Sequence, residues 1–171
     1  HYASEKLFND LVDQCELMAE ALKYYANILT PFSKLVQKKI EEFLSLELPL
    51  EWSNDYQENQ ITIIYDTMWN GTRTLAERIA EGLTSASPDV TVKLYNSAKT
   101  DKNDIVAEVF RSKAIVVGSP TINRGILTSI AALMEEIRGL GFRGKKAAAF
   151  GTYGWSGESA KQVTELLERS G

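Results

Sequence analysis

One cysteine and one histidine are all that this chain of 171 residues offers of those two side chains, and the scarcity removes whole classes of chemistry. Cys15 has no partner for an internal disulfide, which suits a reducing, cytoplasmic setting. It reads as a small apolar residue buried on a helix. His1 stands at the first position, so a centre built on several histidines is excluded within these residues, and no metal ligand or catalytic residue is assigned. A net charge of −4 and a pI near 5.2 provide no broad basic field for nucleic acid or an anionic membrane. No apolar run reaches membrane-spanning length, and there is no secretory pattern, repeat or low-complexity segment.

What remains falls into two unequal parts, 1–58 and 59–171. In the first, Leu11, Val12, Cys15, Met18, Ala19, Leu22, Ala26 and Leu29 recur at helical spacing and form one apolar stripe. Thr30 is placed to cap a second helix and Pro31 to begin it, with Leu35, Val36, Ile40, Phe43 and Leu44 continuing as far as Pro49. Two such helices cannot cover their own apolar faces, so the second part or another chain must cover them. Residues 51–59 read as a polar connection. From Gln60 onward, strands alternate with helices, the pattern of a parallel sheet. Residues 61–65 and 114–117, largely apolar, read as strands buried on both faces, whereas 90–95 alternates like an edge strand. The implied class is α/β, a doubly wound sheet in the order 2-1-3-4. Helices follow, one lined by Leu75, Ala76, Ile79, Ala80 and Leu83, one capped by Asp101, and one lined by Leu127, Ile130, Ala131, Met134 and Ile137. The fourth strand, 147–150, would be an exposed apolar edge, so a fifth strand is expected and the chain reads as part of a longer protein.

Three of the strands run into loops rich in glycine, hydroxyl groups and aromatics. After strand one come Thr67, Met68, Trp69, Asn70, Gly71 and Thr72. After strand three come Ser119, Pro120, Thr121, Ile122 and Asn123. After strand four come Gly151, Thr152, Tyr153, Gly154, Trp155 and Gly157. Ligands of open α/β sheets lie beyond the carboxyl ends of the strands, at the point where strand order reverses, and here that point lies between strands one and three. The first loop contains no Lys or Arg, yet the N–H groups of residues 68–72, the helix dipole and the Thr67 and Thr72 hydroxyls suit a phosphate. Thr121 and Asn123 offer polar groups for a ribityl chain and ring heteroatoms, while Trp69, Tyr153 and Trp155 offer faces or edges for an apolar flavin ring. Other phosphate sites fail on the residues: there is no G-x-G-x-x-G after strand one and no G-x-x-x-x-G-K-[ST]. A phospho-accepting receiver needs an Asp where strand three ends in Gly118 and Ser119, so Asp66 reads as a turn residue.

At 65–72, 117–123 and 150–157 the chain resembles the flavodoxin-like domain of the flavodiiron proteins, and the resemblance covers nearly all of 60–171. Trp69 and Asn70 depart from classical flavodoxins, which carry a hydroxyl residue and Gly there. Residues 1–4 and 24–32 are similar to the late helices of that family's metallo-β-lactamase-like domain. By this comparison about thirty residues, including an iron ligand, are missing between Leu50 and Glu51, and His1 matches no ligand. The resemblance implies an FMN-binding module of a cytoplasmic enzyme that reduces NO or O2. Its electrons would come from a rubredoxin-type donor and pass to a diiron site whose ligands this chain lacks, in a homodimer or dimer of dimers. The alternatives are a free-standing flavodoxin-like carrier and a non-enzymatic interaction module with an empty fold.

Overall fold

The structure is a computed structural model that describes residues 13–42 and 56–171. The readings that fall on His1, Leu11, Val12, Phe43, Leu44, Pro49 and the Leu50–Glu51 junction lie outside the described residues. Four strands, β1 (Glu58–Tyr65), β2 (Thr91–Asn96), β3 (Ser112–Pro120) and β4 (Lys146–Thr152), form one parallel sheet in the order β2-β1-β3-β4. This is the flavodoxin-like α/β order expected from the apolar and alternating runs. The two strands expected to be buried on both faces are the central pair, with Ile63, Ile64 and Val117 fully buried. Glu58 and Asn59 belong to β1 rather than to the connection, because pairing with β3 already begins at Glu58.

Helices cover both faces. α3 (Gly71–Ala86) packs Ala76, Ile79, Ala80 and Leu83 against Ile63, Tyr65 and Phe150. Leu75, expected inside, is exposed, and Ala76 is the fully buried residue of that turn. α4 (Lys102–Arg111), α5 (Thr128–Leu140) and α6 (Glu158–Ser170) cover the other face around Ile64, Ile115 and Val117. Asp101 caps α4 as expected, accepting from Asn103 N at 2.7 Å. In α5 the buried stripe is Ile130, Leu133, Met134 and Ile137, while Ala131 faces solvent.

The helical arm packs on this second face. α1 (Gln14–Tyr24) is capped by Asp13 and passes through a π turn, Tyr25–Leu29, and a 3-10 turn, Thr30–Phe32, into α2 (Ser33–Glu42). Thr30 does not cap forward; its hydroxyl donates back to Tyr25 O at 3.3 Å. Leu22, Tyr25 and Ala26 join the cluster built by α4 and α5. The Tyr25 ring lies 5.5 Å from that of Phe110, which stacks on Tyr56 from 5.7 Å. Lys23 Nζ reaches Asp104 Oδ1 at 2.5 Å. Cys15, Met18 and Ala19, expected inside, are exposed. A helical stripe shows which side is apolar, not how much of its length meets a partner, and here contact begins only near Leu22.

Candidate cofactor-binding site

Parallel pairing brings the three loops to one edge. Tyr65 lies beside Gly118, Gly118 beside Phe150, and Pro120 beside Thr152. Two glycines permit the close packing at this edge: Gly118 leaves room for the Phe150 ring, which would stand 2.1 Å from an added Cβ. Gly151 does the same for Ser159 Oγ and Ser119 O, 2.4 and 2.6 Å from such a Cβ. Gly151 thus serves close packing.

Loop one is open toward solvent. Met68, Trp69, Asn70 and Gly71 are exposed, Trp69 at 89%. Asn70 adopts φ 64° and provides no side-chain cap to α3, so the first N–H groups of that helix keep their orphan donors. Thr67 Oγ1 is buried and has no hydrogen-bond partner, a state that costs free energy unless a ligand supplies one. Thr67 N is already bound by Asp66 Oδ1 at 2.7 Å, which leaves residues 68–72 as the backbone donors. Thr72 is buried, and its hydroxyl shares a 2.7 Å hydrogen bond with Thr152 Oγ1. Arg73 is paired with Glu77 at 2.8 Å, on the exposed side of α3.

Loop two is tied down from within. Ser119 is fully buried; its Oγ donates to Pro120 O at 2.9 Å and accepts from Leu127 N at 3.0 Å, so this hydroxyl braces the loop. Thr121 N donates to Thr152 O at 2.8 Å, and Thr121 Oγ1 accepts from Ser159 N at 3.2 Å. Ile122 and Gly125 exchange both backbone bonds around Asn123 (φ 49°) and Arg124 (φ 59°), a tight two-residue turn. Asn accepts the left-handed region readily and Arg pays for it, and both are exposed.

Loop three offers the aromatic surface. Trp155 is fully exposed and Tyr153 is 67% exposed. A Cβ at Gly157 would stand 2.9 Å from Tyr153 Cε1, so glycine there lets the ring lie over the backbone. Gly154 has open space around it. Glu158, the first residue of α6, is held below the usual carboxylate range by the Ser156 hydroxyl, then by its own N–H and by the Arg124 charge. The site therefore combines an uncapped helix N-terminus, one orphaned hydroxyl and three exposed aromatics (Trp69, Tyr153 and Trp155). That donor set fits a phosphorylated flavin. The described residues contain no group of His, Cys, Asp and Glu suited to a metal ion, and none of their helices is long and apolar enough to cross a membrane. A cavity of about 760 Å³ lies at the opposite end of the sheet, beside Phe32, Tyr56 and Phe142, remote from these loops.

Asp66 is not simply a turn residue. It is buried, and its Oδ2 accepts from Ser129 Oγ of α5 at 2.5 Å. The signal in the sequence was a carboxylate directly after the apolar run Ile63, Ile64 and Tyr65 of a buried strand. Its partner, 63 residues away, carried no signal at all.

The geometry agrees with the comparisons to known proteins. Over 194 residues the chain is 48% identical to the anaerobic nitric oxide reductase flavorubredoxin of Vibrio vulnificus, covering all of this chain and 39% of that protein. The structure matches rubredoxin oxygen:oxidoreductase of Desulfovibrio gigas with a TM-score of 0.86 at 29% identity, over 98% of this chain and 47% of that one. An archaeal flavodoxin aligns with a TM-score of 0.58 at 28% identity, covering 66% of this chain and 75% of its own. The chain spans about two-fifths of the curated relatives it matches. Residues 63–171 match the flavodoxin family, and the chain belongs to that family.

Proposed function

We propose that this chain is the FMN-binding electron-transfer module of a flavodiiron oxidoreductase. The observation that carries the proposal is Thr67 Oγ1, buried without a partner beside an uncapped helix N-terminus. The phosphate would be held by Thr67, Thr72 and the backbone N–H groups of 68–72. Backbone and side-chain groups of 119–123 would face the ribityl chain and ring heteroatoms, with Thr121 already oriented by Ser159 and Ser119 and Pro120 holding the loop's shape. Trp69, Tyr153 and Trp155 would exclude water from the ring, with Met68, Gly154 and Gly157 shaping the walls. The bound cofactor supplies the electron transfer; the protein supplies binding, orientation and electrostatics.

The similarity to a flavorubredoxin and to a rubredoxin oxygen:oxidoreductase supports the wider reading. In it, a rubredoxin-type donor delivers electrons that the full-length protein uses at a non-haem diiron centre, reducing NO to N2O or O2 to water. The same reading takes 1–58 as a helical remnant of a metallo-β-lactamase-like domain with its connection, 59–171 as the FMN domain, the cytoplasm as its location, and a homodimer or dimer of dimers as its assembly. The test is an absorption spectrum and iron analysis of the full-length protein, followed by NO and O2 consumption with reduced rubredoxin. Flavin bands with iron support the reductase; flavin without iron leaves a simple carrier; neither leaves an empty interaction module.

A further inference from the structure

Asp66 is the buried carboxylate for which the cofactor reading finds no use. Its relative exposure is 9%, and burying a carboxylate is costly unless hydrogen bonds or charges compensate. The compensation here is specific. Oδ1 accepts from Thr67 N at 2.7 Å and Oδ2 accepts from Ser129 Oγ at 2.5 Å, while the Asp66 backbone N–H separately donates to Gly118 O at 3.2 Å. Side chains alternate across a strand: Ile63 and Tyr65 face α3, while Ile64 faces the opposite cluster. Asp66 follows the alternation toward α5, yet the main chain after it turns the other way, into loop one and α3. One residue therefore bridges the two sides of the switch point. Ser129 lies in the first turn of α5, whose preceding residue Leu127 provides no side-chain cap. A carboxylate at that end also complements the helix dipole.

We propose that Asp66 is a positioning residue of the flavin site, clamping the entry of the phosphate loop to the first turn of α5. The clamp fixes Thr67 through its N–H, which aims the one orphaned hydroxyl of the loop, and it sets the separation of loops one and two. The same carboxylate, buried at the entry of the phosphate loop, opposes, whenever it carries its charge, the addition of electrons to a flavin bound at this edge of the sheet. This inference rests on the FMN reading for the ligand, but the clamp itself is a property of the chain.

The experiment compares wild type, Asp66→Asn, Ser129→Ala and Ser129→Thr in the full-length protein. FMN affinity is read from fluorescence quenching, the FMN reduction potential from redox titration, and local opening from amide hydrogen exchange of the FMN-free protein. Losing one charge-assisted hydrogen bond should weaken FMN binding about tenfold in Ser129→Ala and in Asp66→Asn. Ser129→Thr, which keeps the hydroxyl, should restore it. Asp66→Asn should raise the FMN potential, while Ser129→Ala, which keeps the charge, should move it less. Without FMN, exchange should quicken at 67–70 and 128–131 together. Wild-type affinity and exchange in both Ser129→Ala and Asp66→Asn would overturn the clamp, as would an unmoved potential in Asp66→Asn for the charge effect. If the wild type takes up no FMN while exchange still quickens at both segments in the variants, the clamp is upheld and the FMN reading is overturned instead.

Discussion

Thr72 and Thr152 share a hydrogen bond of 2.7 Å between residues 80 positions apart. It joins the first turn of α3 to the last residue of β4, so loops one and three are held in register by a single hydroxyl pair. Each hydroxyl has one proton and spare acceptor capacity. One of the pair donates to the other, and the remaining proton is available to a phosphate oxygen.

Thr72→Ala and Thr152→Ala are each expected to weaken FMN binding by about 1–2 kcal/mol. Because the two act through one bond, the double variant should lose less than the two single losses combined. Isothermal titration of the FMN-free variants measures this; full additivity would show that the pair does not work as a unit.

Thr67→Val should separate stability from function. Its hydroxyl is buried without a partner, so an isosteric apolar group should stabilise the FMN-free protein by about 1 kcal/mol while weakening FMN affinity by about 1–2 kcal/mol. Urea unfolding and FMN titration read the two signs. Loss of stability in the FMN-free protein would mean that the hydroxyl already has an internal role.

Trp155 is fully exposed and Trp69 is 89% exposed. Replacing either by Ala should change FMN-free stability by less than about 0.5 kcal/mol. In the loaded protein the same changes should shift the flavin potential or slow electron delivery to iron, with iron content unchanged. Redox titration and stopped-flow oxidation test this; wild-type values in both variants would make these rings surface caps.

Docking of the arm should weaken at alkaline pH. The Asp104 carboxylate, followed by Glu20, raises the pKa of Lys23 above its ordinary 10.5, and burial raises Tyr25 above 10.0. Both groups keep their protons longer in the fold. Their contribution is therefore complete below the ordinary values and is lost as pH rises through the raised ones. Urea midpoints should hold steady from pH 7 to 9 and fall above about pH 10, less steeply in Tyr25→Phe. An equal fall in that variant would remove Tyr25 from the account.

The sheet order was legible because burial on both faces leaves a different pattern from burial on one. Ile61 to Tyr65 and Ala114 to Val117 had to be central, and Val90 to Tyr95 had to be an edge. The loops were legible because glycine, hydroxyl and aromatic residues recur at one end of three strands. The arm was half legible: periodicity found its apolar side but not the short stretch, Leu22 to Ala26, that meets α4. The pairs Asp66–Ser129 and Thr72–Thr152 were not legible, since hydroxyl partners distant in sequence have no periodicity to betray them. They nonetheless tie loop one to β4 and to α5.

The most direct measurement is the identity and stoichiometry of the flavin released by heat from the purified protein, read alongside its absorption spectrum. The account predicts blue and near-ultraviolet flavin bands and one FMN per chain. FAD in its place, or a protein that remains colourless and takes up no added FMN, would contradict it.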